Sequence, residues 1–186
     1  MKNIVYFTLF AFLFLSCETV FKKEINIATD PYVIGTSNLD FLETTPILAG
    51  NSKNERIWLD YIDAHNNRDL FKISAMNTND WEAHVFDGRV IKGNEDHQKF
   101  LSEWFETSSP KWKTLWIIAT KVLNKEGEIT EWLTSGDDQK YIDNEGNVKV
   151  IHLIHHVQIS DGKIKKIYAY SREPKPVGLK RIVKRN

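Results

Sequence analysis

The sequence predicts an α+β domain in which helices cover one face of an antiparallel sheet. Three observations lead there. Helical spacing of apolar residues dominates from Ser52 to Ser108, broken by one short alternating stretch. From Lys113 onward the period changes to two, in long runs separated by turn signals. The last two runs, VKVIHLIHHVQISDGKIKKIYAYSR from Val148 to Arg172, flank Ser160-Asp161-Gly162-Lys163, a short turn of the kind that joins hairpin strands. Runs of helices followed by runs of strands segregate into two layers.

Ser52-Lys53-Asn54-Glu55 reads as a capping box opening a helix that runs to about His65. Ile57, Trp58, Tyr61, Ile62 and His65 form its apolar stripe, and Asn66-Asn67 stops it. Asp69 caps a second, shorter helix carrying Leu70, Phe71, Ile73 and Met76, and Asn77 to Asp80 reads as a polar break. Trp81 to Phe86 alternates as a strand, with Trp81, Ala83 and Val85 on one face and Glu82, His84 and Phe86 on the other. Asp87-Gly88 turns the chain into a short return strand, Arg89 to Lys92. Asn94 is the expected cap of a third helix, whose stripe is Phe100, Leu101, Trp104 and Phe105 and which Ser108-Ser109-Pro110 ends. Lys113 to Leu123 and Glu128 to about Tyr141 are long strands, the second with a bulge or bend expected at Gly136. Asp143 to Gly146 turns into the closing hairpin.

Residues 1–16 have the build of a secretory signal: Lys2, then twelve apolar or neutral residues from Ile4 to Leu15. A helix that short cannot span ~30 Å of hydrocarbon, which takes about 20 residues. Phe14-Leu15-Ser16-Cys17 follows, and Cys17 is the only cysteine, so no intrachain disulfide is expected. The segment looks like a bacterial lipoprotein signal, with Cys17 the lipid-attachment residue and the cell envelope the expected location. Buried acyl chains contribute ~0.8 kcal/mol per CH₂ to such an anchor. Residues 17–51 lack periodicity, carry Pro31, Gly35, Pro46 and Gly50, and are expected to be a tether. The domain is then expected over 52–173, with a basic tail over 174–186. Lys plus Arg equals Asp plus Glu at 25 each, which argues against nucleic acid as a partner.

In the first run of the closing hairpin, Leu153, His155, Val157 and Ile159 share one face, so His155 is the single titratable group on an apolar sheet face. It is either a satisfied core residue or the polar centre of a pocket. His152 and His156 share the opposite face but stand ~13 Å apart along a strand, too far for nitrogens that must both lie about 2 Å from one zinc. No metal is expected, and no phosphate loop, nucleophile elbow or metalloprotease motif calls for a cofactor. Asp137-Asp138 reads as a solvated edge or, less simply, a carboxylate at a cavity rim.

The stretch Tyr61-Ile62-Asp63-Ala64-His65-Asn66-Asn67-Arg68-Asp69-Leu70, then Asp87-Gly88 and Gly93 before the third helix, then Asp161-Gly162-Lys163-Ile164, resembles in order and spacing the nuclear transport factor 2-like superfamily. The resemblance is to its SnoaL-like and ketosteroid isomerase-like branch and covers about Ser52 to Glu173. It implies a curved antiparallel sheet wrapped around a long helix, a cystatin-like cone with an apolar cavity at its open end. Tyr61 and His155 fall where the isomerases place their two oxyanion-hole donors, and Val85, with His84 beside it, falls where they place the base. The implied ligand-binding set is Tyr61, Trp81, Val85, Trp132 and His155, and the catalytic candidates are His155, Tyr61 and His84. Three functions stay open: an anchored domain binding a small, partly apolar ligand; a cofactor-free isomerase- or cyclase-type enzyme; and an interaction module that homodimerises through its open sheet face. A fold that hosts many functions does not choose among them.

Overall fold

The structure is a computed structural model that describes residues 33–38, 44–123 and 127–172. The segment expected to be a signal, Cys17 and the basic tail expected over 174–186 lie outside the described residues. Eleven elements are present among the described residues: β1 (Val33–Asn38), β2 (Thr44–Ala49), α1 (Ser52–Asn66), α2 (Leu70–Met76), β3 (Asn77–His84), β4 (Val90–Lys92), α3 (Gly93–Ser108), β5 (Lys111–Leu123), β6 (Ile129–Ile142), β7 (Val148–Ser160) and β8 (Lys163–Arg172). The strands form one curved sheet in the order β1-β2-β5-β6-β7-β8-β3-β4. All neighbours are antiparallel except β3 and β8, which pair in parallel. The α+β class with three helices on a curved, essentially antiparallel sheet is therefore the architecture observed.

The expected tether differs from what is seen. Within 17–51, residues 33–38 and 44–49 are a hairpin that joins the sheet, with Ile47, Leu48 and Ala49 paired to Val122, Lys121 and Thr120. Pro46 fits because it is partnered only with the edge strand β1, and the pairing to β5 begins at Ile47. The α1 cap also moves by one residue: Asn51, not Ser52, accepts from the Lys53 backbone N–H. Asp69 caps α2 as expected, accepting from Lys72 N–H. The polar residues Asn77 to Asp80 are not a break but the first half of β3. Lys92 precedes α3, and Asn94 is spent elsewhere, on Thr78 and Asn77. At the closing hairpin Asp161 and Gly162 both take positive φ, 51° and 73°, the pairing a two-residue turn of the twist-matched kind requires. The irregularity expected at Gly136 falls on its partner strand, where the β5 register shifts between Thr114 and Trp116.

The helices cover one face. α1 buries Trp58, Tyr61, Ile62, Ala64 and His65 against it, and α3 buries His97 and Leu101. The core runs through these to Trp81, Ala83, Trp112, Leu133, Leu153, Val157, Ile164 and Ile167. Asn66, the last residue of α1, ties the helix to β5: its Nδ2 donates to the Trp112 carbonyl and its Oδ1 accepts the Trp112 N–H, at 2.9 and 2.8 Å. The opposite sheet face is open and carries half-exposed Trp116, Ile118, Ile154 and Tyr170.

Candidate functional site

Between α1, α3 and the helix-bearing face of the sheet lies a cavity of about 160 Å³. Its wall is mostly aromatic and aliphatic: Trp58, Trp81, Trp112, Leu153, Ile167 and Ala169 among others. Phe86, Arg89, Phe100 and Trp104 line it where it nears the surface. A cavity of ~150 Å³ with aliphatic and aromatic walls accepts one benzene ring, so the space suits a single-ring compound and not a four-ring steroid.

Each polar side chain in that wall is placed by its element. Tyr61 and His65 are four apart on α1 and so lie on one face. His155 comes from β7, where its neighbours Leu153 and Val157 share the helix-bearing face. Register does the rest. β6 pairs Ser135 with His155 and Asp137 with Leu153, which puts the Asp137 side chain beside the imidazole, behind the cavity wall. His155 Nδ1 lies 2.8 Å from Asp137 Oδ2. The carboxylate is fully enclosed and also accepts from Thr114 Oγ1 at 2.5 Å and Ser135 Oγ at 2.6 Å. Burial pushes the Asp137 carboxyl up, but the hydrogen bond and charge of His155, with the two hydroxyls, more than offset it and hold the group below the usual carboxylate range. An ionised carboxylate only accepts, so His155 Nδ1 carries a proton, and in the neutral ring Nε2 is the bare nitrogen. No partner for Nε2 is found among the described residues, and His155 faces the cavity with Trp58 beside it, ring centres 5.1 Å apart.

The other candidates divide. Trp81, Val85 and the Tyr61 ring line the cavity. The Tyr61 hydroxyl is enclosed beside the Asn77 amide and the Trp81 indole N–H, neither at full hydrogen-bond geometry, and burial raises its pKa well above the ordinary phenol value against their opposing pull. His84 lies outside the cavity. It shares the open face with Glu82, which its Nε2 reaches at 3.2 Å, and stacks on Tyr168. Trp132 is also on the open face, stacked on His156 at 4.5 Å with Nε1–H donating to Thr130. Its pairing with Gln158, one step from Leu133 and Val157 on the core side, puts it there. His152 is on the open face too, 2.5 Å from Asp138. Among the described residues no cluster of three or more potential metal ligands is present.

Two site residues escape a sequence reading, His65 as a polar group and His97, while Asp137, expected with Asp138 at a solvated edge or a cavity rim, is at neither and lies fully enclosed behind the wall. His97 stands three and four residues before Phe100 and Leu101, so the stripe spacing was the signal for it. Its ring lies flat on Trp81, centres 3.9 Å apart. His65 Nδ1 lies 2.8 Å from the Tyr61 carbonyl, which fixes its proton on Nδ1. Burial is the main cause that lowers the His65 pKa to about 4 and takes His97 well below the ordinary histidine value. Both are neutral near pH 7.

No protein-family model matches the sequence, and comparison with curated proteins gives no match. Solved structures do match. An LEH-like epoxide hydrolase from M. tuberculosis aligns over 65% of this chain and 84% of its own, with a TM-score of 0.53 and 14% identity. An NTF2-like protein from Burkholderia xenovorans aligns over 67% and 92%, with a TM-score of 0.52 and 13% identity. The chain has the nuclear transport factor 2-like fold. A third match on this fold is an epoxide hydrolase/cyclase-like enzyme of pyran ring formation in the polyether salinomycin, at TM-score 0.53 and 13% identity over 65% of this chain and 92% of that one. Identities this low make the likeness one of fold, so function must be argued from the cavity itself.

Proposed function

We propose that the cavity binds a small, partly apolar compound of single-ring size, and that His155 acts on it as a proton acceptor without a cofactor. The observation that carries this reading is the His155–Asp137 pair. A buried carboxylate, saturated by Thr114 and Ser135, orients an imidazole whose second nitrogen faces an apolar space. A base within reach of ligand, oriented by a third group, is the arrangement general-base catalysis needs. The chemistry that follows is proton transfer next to a carbonyl, as in isomerisation or cyclisation. Cyclohexanone in D₂O tests it, since α-proton exchange is read by NMR. The expected result is protein-catalysed exchange that falls ~100-fold in His155→Gln. Exchange equal in wild type and variant would refute it.

A second reading rests on the open face. Trp116, Ile118, Ile154 and Tyr170 leave 39 to 59% of their surface exposed, and a second copy paired there would cover them. Sedimentation at rising concentration reads this directly, and a monomer throughout would refute it. Anchoring through lipid on Cys17 belongs to the same proposal, supported by the Phe14-Leu15-Ser16-Cys17 sequence. Incorporation of a labelled fatty acid, lost in Cys17→Ala, is the expected result.

A further inference from the structure

The tautomer of His97 can be worked out from the backbone inward. The Thr78 carbonyl only accepts, so the Asn94 atom 3.3 Å from it is the amide nitrogen, Nδ2. That turns Asn94 Oδ1 toward Asn77, where it accepts from Asn77 Nδ2 at 2.8 Å. The same Asn77 Nδ2 lies 3.2 Å from His97 Nδ1, which must therefore accept. The proton of a neutral His97 then sits on Nε2, the ring position turned away from Asn77, and no partner for it is found among the described residues. Asn77 and His97 are both buried, at 2% and 5% exposure, so water does not compete for these bonds.

The cavity histidines thus differ in kind. His65 and His155 carry their protons on Nδ1, bonded to the Tyr61 carbonyl and to Asp137, and present bare Nε2 atoms. His97 presents an N–H. Several other donors in the wall are enclosed or committed: the Trp58 and Trp81 indole N–H groups are buried without partners among the described residues, and the Gln139 amide also lines the cavity. The Tyr61 hydroxyl is shut in beside Asn77 and Trp81, and Arg89 at the rim is paired with Asp87 at 2.6 Å.

We propose that His97 is a catalytic hydrogen-bond donor whose neutral Nε2–H holds the carbonyl oxygen of the ligand while His155 Nε2 takes the neighbouring proton. This rests on the reading of His155 as a base. The step balances without a co-reactant. The C–H bond α to the carbonyl breaks, its proton goes to His155 Nε2, and its electron pair forms the enolate C=C. The carbonyl π pair moves onto the oxygen, where the His97 N–H strengthens its bond as charge develops. Return of a proton, or a deuteron, from His155 closes the cycle. A neutral imidazole donor suits an oxygen that is only transiently anionic, because it polarises the carbonyl without handing over its proton. Burial supports the neutral state of His97. The substrate class is a ring-sized ketone or aldehyde bearing an α-hydrogen.

Two measurements test this with cyclohexanone as the probe. Long-range ¹H–¹⁵N spectra of the wild type at pH 7 should show His97 protonated on Nε2 and His65 and His155 on Nδ1. The His97 signal should shift on adding the ketone. In the exchange assay His97→Leu should lose ~100-fold in rate, the cost of removing one such donor. His97→Gln, whose amide nitrogen can stand near the lost Nε2–H, should stay within ~10-fold of wild type on the same principle. An Nδ1–H tautomer for His97, or His97→Leu exchanging as fast as wild type while His155→Gln does not, would overturn this inference alone. Full exchange in His155→Gln would overturn the underlying reading with it. The tautomer result stands on wild-type protein should His97→Leu fail to fold.

Discussion

Asp137→Asn keeps the shape of a fully enclosed side chain and removes only its charge. The carboxylate now accepts three hydrogen bonds, from His155, Thr114 and Ser135, at 2.8, 2.5 and 2.6 Å. Ser135 Oγ and His155 Nδ1 share Oδ2, while Thr114 Oγ1 is on Oδ1. The one oxygen of an amide can keep Ser135 and His155, with its NH₂ turned to the Thr114 hydroxyl, which can accept. His155 then keeps its Nδ1 proton but faces a neutral oxygen in place of a carboxylate. What is lost is the charge assistance: hydrogen bonds worth ~1.5–3 kcal/mol each to a charged group become neutral ones worth ~0.5–1.5 kcal/mol. For a chain of this length, ~2 kcal/mol lowers Tm by about 4–8 °C. Thermal unfolding followed by circular dichroism measures that loss. The ¹⁵N spectrum of His155 should still show Nδ1–H, while cyclohexanone exchange should fall, because the imidazolium formed on proton uptake loses its buried countercharge. A variant as stable and as active as wild type would refute the account of the pair.

Three further outcomes are expected. Acid should destabilise the fold early, because burial lowers the His65 pKa to about 4 and an unfolded histidine titrates near ~6.5. That contribution, about 3 kcal/mol by linkage, is complete above pH ~6.5 and is lost as pH falls toward 4, with His97 acting in the same direction. Urea midpoints that do not change between pH 7 and 4.5 would contradict it. Gly50→Ala should cost ~2 kcal/mol or more, since a Cβ there would sit 2.4 Å from Thr120 N and 2.5 Å from the Ala119 carbonyl carbon, both backbone; unchanged urea stability would show that the β1–β2 hairpin is not docked as described. Ala83→Leu, placed on the cavity wall, should fill empty space at a cost of no more than ~1–3 kcal/mol while abolishing cyclohexanone binding by ligand-observed NMR. Retained binding would put the ligand elsewhere.

Much of the fold was legible because strand period and turn chemistry are local. Alternation placed His155 with Leu153 and Val157, and Asp161-Gly162 marked the turn that the backbone adopts. Alternation also separated Trp132 from Leu133, but it cannot say which face meets the helices. That choice is made by Leu133 pairing with Val157 across strands, and it sends Trp132 outward. His84 was misplaced because Val85 beside it faces the cavity, and adjacent strand residues point opposite ways. Asp137, read with Asp138 as an edge or rim pair, is placed wrongly for a different reason. An Asp-Asp pair reads as solvated, and only the pairing with β5 and β7 reveals that one member is buried under Thr114, Ser135 and His155 while Asp138 stays partly open. The β1–β2 hairpin was hidden by Gly35 and Pro46, whose cost is small at a sheet edge. The tautomers of His65 and His97 depend on a backbone carbonyl and a buried asparagine, neither visible in a pattern of residue types.

The most direct test of a ligand cavity served by His155 is an intermolecular NOE spectrum of labelled protein with saturating cyclohexanone. NOEs from the ketone to the Ala83 and Ala169 methyls and to the His155 ring are expected. NOEs confined to Trp116 or Trp132 on the far side of the sheet, or none at all, would contradict the account.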